Sequence, residues 1–437
     1  MSAIATAYPK IEFTDEKLKN GLRLIMSVER LVPIVAVNLW YSVGSRNEAP
    51  GKTGLAHLFE HMMFEGSAHL KKGDHFKHVQ SMGGQNNAST SAVRTNYFEW
   101  APSHGLETML WLEADRMGGL LEALNQETLD NQRDVVKNER RQTSENQPYG
   151  TWIEETTNNL FAEGHPYHHT VIGSMDDLDA ASLKDVKAFF SSHYAPNNAV
   201  LSIVGDFDPK QAREWVVKYF GKIPANKKIP PTPDTEVPFD LGGEARKSIR
   251  DRVPAPGVFI SYRSPADGTR ENDVMTVAGA VLSVGFGSRM YQRLVREQYA
   301  IQAQFFTNAQ PGVSWSAAFG VAAPGIFNEV LETEMLKVID SLKTEPVTDE
   351  ELARAKAQLE SQIIARFSTV ASRADSLSEN ASLFGDPGRV NDQLSELMSI
   401  TPEEISKVAS EVFTKENRAV ITYLPKPAEV KDKRKGR

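Results

Sequence analysis

Two periodicities alternate along the chain. Short apolar or alternating runs at residues 22–26, 34–41, 199–204, 258–262 and 418–423 predict strands. Apolar positions recurring every three to four residues predict helices from residue 54 and over 183–190, 273–282 and 401–413. Thr401 can cap the last of these and Pro402 can start it. Residues 86–100 are polar but β-like, and residues 125–141 read as a charged helix. Strand and helix runs are mixed, with consecutive strands in each half. That is the pattern of an α+β protein with helices packed on mostly antiparallel sheets.

The stretch 224–243 breaks the pattern. It carries Pro230, Pro231, Pro233 and Pro238 and then Gly242 and Gly243, with little apolar periodicity. Prolines stiffen such a crossing, so the expected division is 1–223, a linker at 224–243, and 244–437. The two halves resemble each other in order. Each opens on strands and closes on a helix followed by a strand, with 199–204 the counterpart of 418–423.

At 437 residues the chain is too long for one compact core. With 40% hydrophobic and 24% charged residues it has the composition of a soluble globular protein. A net charge of -8 and the lack of a basic stripe exclude a nucleic-acid partner as an expectation. The basic tail at 431–437 is expected to be a solvated end. No apolar run approaches the ~20 residues that span a membrane. The first residues have no basic and apolar leader pattern, so a cytoplasmic location is expected. A chain whose leader had been removed would read the same way and be periplasmic. There is no cysteine, so any metal must be held by His, Asp or Glu.

All ten histidines lie at or before His193, so imidazole chemistry belongs to the first half. The run 54–66 contains His57, Glu60 and His61 in an H-x-x-E-H arrangement. Leu55, Leu58, Phe59 and Met62 give the segment one apolar face. Histidines four apart on a helix project from the same side and can converge on one ion, with Glu60 beside them. Zinc suits the set: catalytic sites use three His or carboxylate ligands and leave a position for water. A third ligand is needed, and spacing alone leaves Glu127, Asp134 and Glu139 open on the 125–141 helix.

The runs 43–48 and 54–67, with Gly83-Gly84, 87–90, 135–141 and 164–167, resemble the pitrilysin/insulinase (M16) family of metallopeptidases, which includes the mitochondrial processing peptidase. The resemblance implies two tandem related α/β-roll domains, one half of a four-domain clamshell that encloses unfolded peptides. The N-terminal domain would carry the metal and the C-terminal one would not. It implies one zinc ion per chain on His57, His61 and Glu139, which lies 78 residues past His61, with Glu60 as the base. Asn87 and Ala88 match the edge strand that pairs with substrate. Two departures stand out. Many members have a glutamate seven residues before the third ligand, where this chain has Gln132, able to act only by hydrogen bonding. Active members also carry an arginine and a tyrosine seven apart in the second half, and the segment 288–302 does not keep that spacing. The expectation is a zinc endopeptidase subunit paired with a related chain that lacks H-x-x-E-H and supplies the arginine and tyrosine. The alternative is a non-catalytic scaffold or peptide-binding member of the same fold.

Overall fold

The structure is a computed structural model that describes residues 10–427. The N-terminal residues read for a leader and the basic tail at 431–437 lie outside the described residues. Within them no helix is long and apolar enough to cross a membrane.

By packing, the chain forms two units. The first takes residues up to Glu139, Gly164–Thr235 and Glu360–Ser399, and the second takes the rest. The first unit is built on six strands: β1 (Thr14–Lys17), β2 (Arg23–Val28), β3 (Ile34–Tyr41), β4 (Gln85–Thr90), β5 (Thr95–Pro102) and β6 (Ala199–Gly205). Their order is β1-β2-β6-β3-β5-β4, so β4 is an edge. All neighbours are antiparallel except β2 and β6. The second unit is built on β7 (Ala245–Asp251), β8 (Gly257–Ser264), β9 (Ala300–Asn308), β10 (Ser314–Ala322) and β11 (Arg418–Pro425), in the order β7-β11-β8-β10-β9. Only β7 and β11 run parallel. The series β2-β6-β3-β5-β4 and β7-β11-β8-β10-β9 therefore share order and direction. The two strands expected to correspond, β6 and β11, hold the same place. The architecture is α+β with two related helix-on-sheet units.

The compact units do not follow the expected boundaries 1–223 and 244–437. The chain crosses between them at Thr235, inside the proline-rich stretch, but residues 140–163 and 360–399 pack outside their own half of the sequence. The cause is the second face of each sheet. β3 and β6 are buried almost throughout, so both faces need cover. The helix Val370–Leu383 gives it, laying Ala374, Leu377 and Ala381 on Ile25, Trp40 and Val204. Asp375 on that helix accepts hydrogen bonds from Asn38 at 3.2 Å and Asn96 at 2.9 Å. In the second unit Tyr149 and Trp152 cover Phe259 and Tyr423 in the same manner.

The other face of the first sheet carries the main core and three helices that matter for the site: α1 (Leu55–Met62), α2 (Asp74–Ser81) and α3 (Leu106–Ala123). A polar cluster sits in this core. His75 on α2, Glu99 on β5, and Glu113 and Arg116 on α3 are all buried. His75 Nε2 lies 3.0 Å from a Glu99 oxygen, and Arg116 is paired with Glu113. The Arg116 guanidinium stands 4.2 Å over the Tyr97 ring and 5.0 Å over the Phe64 ring, which pins the turn that follows α1. His75, Glu99 and Glu113 bring donor atoms within 4.8 Å of one another, but Arg116 already supplies the positive charge there.

Burial pushes Glu99 up to about 8 and His75 down to about 3. A carboxyl raised on folding contributes stability that is full below its unfolded value of about 4.3 and is lost as pH rises to the folded value. A lowered imidazole contributes stability that is full above about 6.5 and is lost as pH falls. The two slopes cancel between about pH 4.3 and 6.5, and only the Glu99 loss remains from about 6.5 to 8. Glu99→Gln should therefore remove a decline of about 2 kcal/mol between pH 6.5 and 8. Urea midpoints of wild type and variant at the two pH values check this, and parallel declines in both proteins would contradict it.

Candidate metal centre

α1 forms where Leu55, Leu58, Phe59 and Met62 can all be buried, each contributing about 1.5–3 kcal/mol. Its first turn is held by Glu48, a fully buried carboxylate that accepts from the N–H groups of Gly54 at 2.9 Å and Ala56 at 2.6 Å. A carboxylate there also suits the positive end of the helix. His169 Nε2 lies 2.9 Å from the same carboxylate. Gly54 takes a left-handed conformation (φ +86°), and a Cβ on it would come within 2.6 Å of the Ile172 carbonyl oxygen. The start of α1 is thus pressed against the 172–173 backbone.

The second helix of the site is α4 (Gln126–Arg140). The Asn125 side-chain oxygen accepts from the Thr128 N–H at 3.0 Å and starts it. Leu129 and Val136 are fully buried, and Arg133 donates to the Leu178 and Ala181 carbonyls. These contacts fix the rotation of α4 and turn the stripe of Gln132 and Glu139 toward α1.

Three of the expected residues come together. Nε2 of His57 is 3.8 Å from one Glu139 oxygen, and Nε2 of His61 is 3.4 Å from the other. The three groups offer donor atoms within 4.8 Å of one another. The open alternatives do not join them: Glu127 and Asp134 are exposed. On an ideal helix they sit about 120° and about 140° around the axis from Glu139. Burial and the neighbouring His61 push His57 down to about 4, which keeps it neutral. Burial would lower His61 as well, but the Glu139 carboxylate outweighs it and raises that imidazole.

Glu60 lies beside this group and is mostly buried. Burial raises its carboxyl, while the Thr90 hydroxyl, which donates to it at 2.5 Å, works the other way. Thr90 ends the edge strand β4, and His57, Glu60 and Glu139 share a cleft of about 330 Å³ with Ala88, Ser89, Thr90, Val171 and Ile172. Asn87 and Ala88 both lie on β4, Ala88 lining the cleft and Asn87 exposed. The Ala88 N–H donates to the Asn87 side-chain oxygen at 2.9 Å. Arg94, across the β4–β5 turn, donates to the Ser89 carbonyl at 2.7 Å and its hydroxyl at 2.6 Å, and stands over the Trp40 ring. Gln132 is close to His61 and donates through Nε2 to Glu65 at 2.6 Å.

The sequence reading named His57, His61 and Glu139, together with Glu60, the edge strand and Gln132. It did not find Glu48 and His169 behind α1, Arg94 behind β4, or Glu65. The runs 43–48 and 87–90 held Glu48 and Thr90 in view, but nothing local ties His169 or Arg94 to the site.

Residues 24–172 match the domain described as Insulinase (Peptidase family M16), and residues 180–359 match the Peptidase M16 inactive domain. The chain is 31% identical over 417 residues to the zinc protease PqqE of Helicobacter pylori, covering 93% of this chain and 91% of that one. It superimposes on the crystal structure of a protease from Helicobacter pylori with a TM-score of 0.90 at 28% identity, covering 95% of this chain and all of that one. The ferredoxin protease FusC, solved in complex with Arabidopsis ferredoxin, shares the fold with a TM-score of 0.71 at 20% identity. There the match takes 95% of this chain and 48% of that one. With both domains matched in order and a relative this similar along nearly its whole length, the chain belongs to the M16, or pitrilysin/insulinase, peptidase family.

Proposed function

We propose that this chain is the zinc-carrying subunit of a peptidase that hydrolyses unfolded peptides, with one ion per chain on His57, His61 and Glu139. The observation that carries the reading is the meeting of those three side chains, two of which, His57 and Glu139, share a cleft with Glu60. The donor set fits zinc. Ligand atoms about 2.0–2.1 Å from a tetrahedral ion stand roughly 3.3–3.4 Å apart, close to the 3.4 and 3.8 Å separations of the imidazoles from the carboxylate. A bound zinc ion supplies a Lewis acid for the scissile carbonyl and acidifies the attacking water. Glu60 accepts the proton from that water and returns it to the leaving amine. Burial favours this, because a carboxyl raised toward neutrality is a better proton carrier at physiological pH. Thr90 fixes the position of the carboxylate. His57 and His61 orient toward one point because they are four apart on one helix.

The peptide is held extended along β4 by β-augmentation, in which main-chain hydrogen bonds bind largely regardless of side chain. Asn87 and Ala88 are the residues that receive it, and the Asn87 amide that now covers the Ala88 N–H gives way to the incoming backbone. Arg94 keeps Ser89 and hence this edge in place.

A related partner chain supplies the substrate-gripping arginine and tyrosine. In the segment where they are expected, the arginines are already engaged. Arg289 is buried against Glu351 and Ser341, Arg293 is paired with Glu345, and Arg296 donates to Gln292. The partner is expected to lack H-x-x-E-H. Hydrolysis of an unfolded peptide by the purified chain, with and without a co-expressed M16 partner, tests this: the pair should be faster. A rate that no partner improves would remove the two-chain proposal.

A further inference from the structure

Glu65 takes no part in the chemistry above, yet it is a buried carboxylate one turn beyond His61. Its side chain is 3% exposed. One oxygen accepts from Gln132 Nε2 at 2.6 Å, and the other lies 2.9 Å from the Lys72 ammonium. A carboxylate has no proton to give, so the amide must turn its NH₂ toward Glu65. That leaves the Gln132 oxygen for its second contact, the His61 ring. An acceptor on one ring nitrogen holds the proton there and leaves the other nitrogen free to bind a cation. Lys72, Glu65, Gln132 and His61 thus form a series of one ion pair, one hydrogen bond and one side-chain contact with the ring.

We infer that Glu65 is a positioning residue for the metal site: it sets the orientation of the Gln132 amide and, through it, the tautomer and aim of His61. The inference rests on the zinc site proposed above and adds a residue that acts through another. Without the carboxylate the amide is free to turn its NH₂ toward the ring and compete for the nitrogen lone pair.

The test is zinc affinity of the full-length chain, measured by competition with a chelating dye, with thermal melting of the metal-free protein as the check on folding. Glu65→Gln is expected to weaken zinc binding 10–100-fold, the usual effect of losing an outer partner of a ligand. In a Gln132→Leu background, Glu65→Gln should cause no further loss. The exchange Glu65→Gln with Gln132→Glu restores a carboxylate–amide pair and should bind within a few fold of wild type, and this variant serves if the single one does not fold. Unchanged affinity in Glu65→Gln, additive losses in the Gln132→Leu background, or a folded exchange variant that binds no better than the single ones would each overturn the inference while leaving the zinc site standing. Wild type that binds no zinc would overturn both.

Discussion

Glu60→Gln is expected to keep its zinc and its peptide affinity and to lose roughly 10²–10⁴ in the rate of cleavage. The substitution is nearly isosteric, and the Thr90 hydroxyl can still donate to the amide oxygen. The ligand atoms of His57, His61 and Glu139 are untouched. What disappears is the group that, in the proposed reaction, accepts a proton in one step and returns it in the next. A buried carboxyl raised toward neutrality does both, and an amide does neither. The prediction also separates a peptidase from a peptide-binding relative of the same fold. In the latter, Glu60→Gln would change nothing. Zinc content, peptide affinity in the variant, and single-turnover cleavage are the three measurements, and only the last should move.

His61→Ala is expected to remove both the metal and the activity. The loss of zinc affinity should exceed the 10–100-fold typical of an outer partner, because two ligands remain where three converged. The fold should persist. His61 is partly exposed and lies off the buried face formed by Leu55, Leu58, Phe59 and Met62. The circular dichroism spectrum should therefore be unchanged while zinc content falls to background. A variant that retains zinc as tightly as wild type would place the metal, if any, elsewhere. A wild type that carries none would favour the scaffold reading.

Much of the site was legible in the sequence because its central part is local. Two histidines four apart with an apolar stripe are a property of one helix, and α1 forms where the pattern predicts it. β3 spans Ile34–Tyr41, as its strand-like, mostly apolar run predicts, and the helix Pro402–Val412 starts at the expected cap. The third candidate ligand was different. Glu127, Asp134 and Glu139 are indistinguishable by composition, and the choice depends on how α4 is rotated. Leu129, Val136 and the Arg133 contacts settle that rotation, and no local periodicity shows where those partners lie. The same limit explains the unit boundaries. The segments that cover the open faces of the two sheets, Val370–Leu383 and the residues around Trp152, are amphipathic in ordinary ways. Nothing in their own sequence says which sheet they will cover. Nor does an isolated strand announce a parallel neighbour, so the pairings of β2 with β6 and β7 with β11 were beyond reach. Buried carboxylates such as Glu48, Glu65 and Glu99 read as surface charges until their partners are known.

X-ray absorption at the zinc edge of the purified chain tests the account most directly. It predicts one ion per chain with only nitrogen and oxygen neighbours at about 2.0–2.1 Å and the multiple-scattering signature of two imidazoles. Glu139→Gln should alter that spectrum. A zinc-loaded chain whose spectrum shows one imidazole or none, or one that Glu139→Gln leaves unchanged, would contradict the assignment of His57, His61 and Glu139.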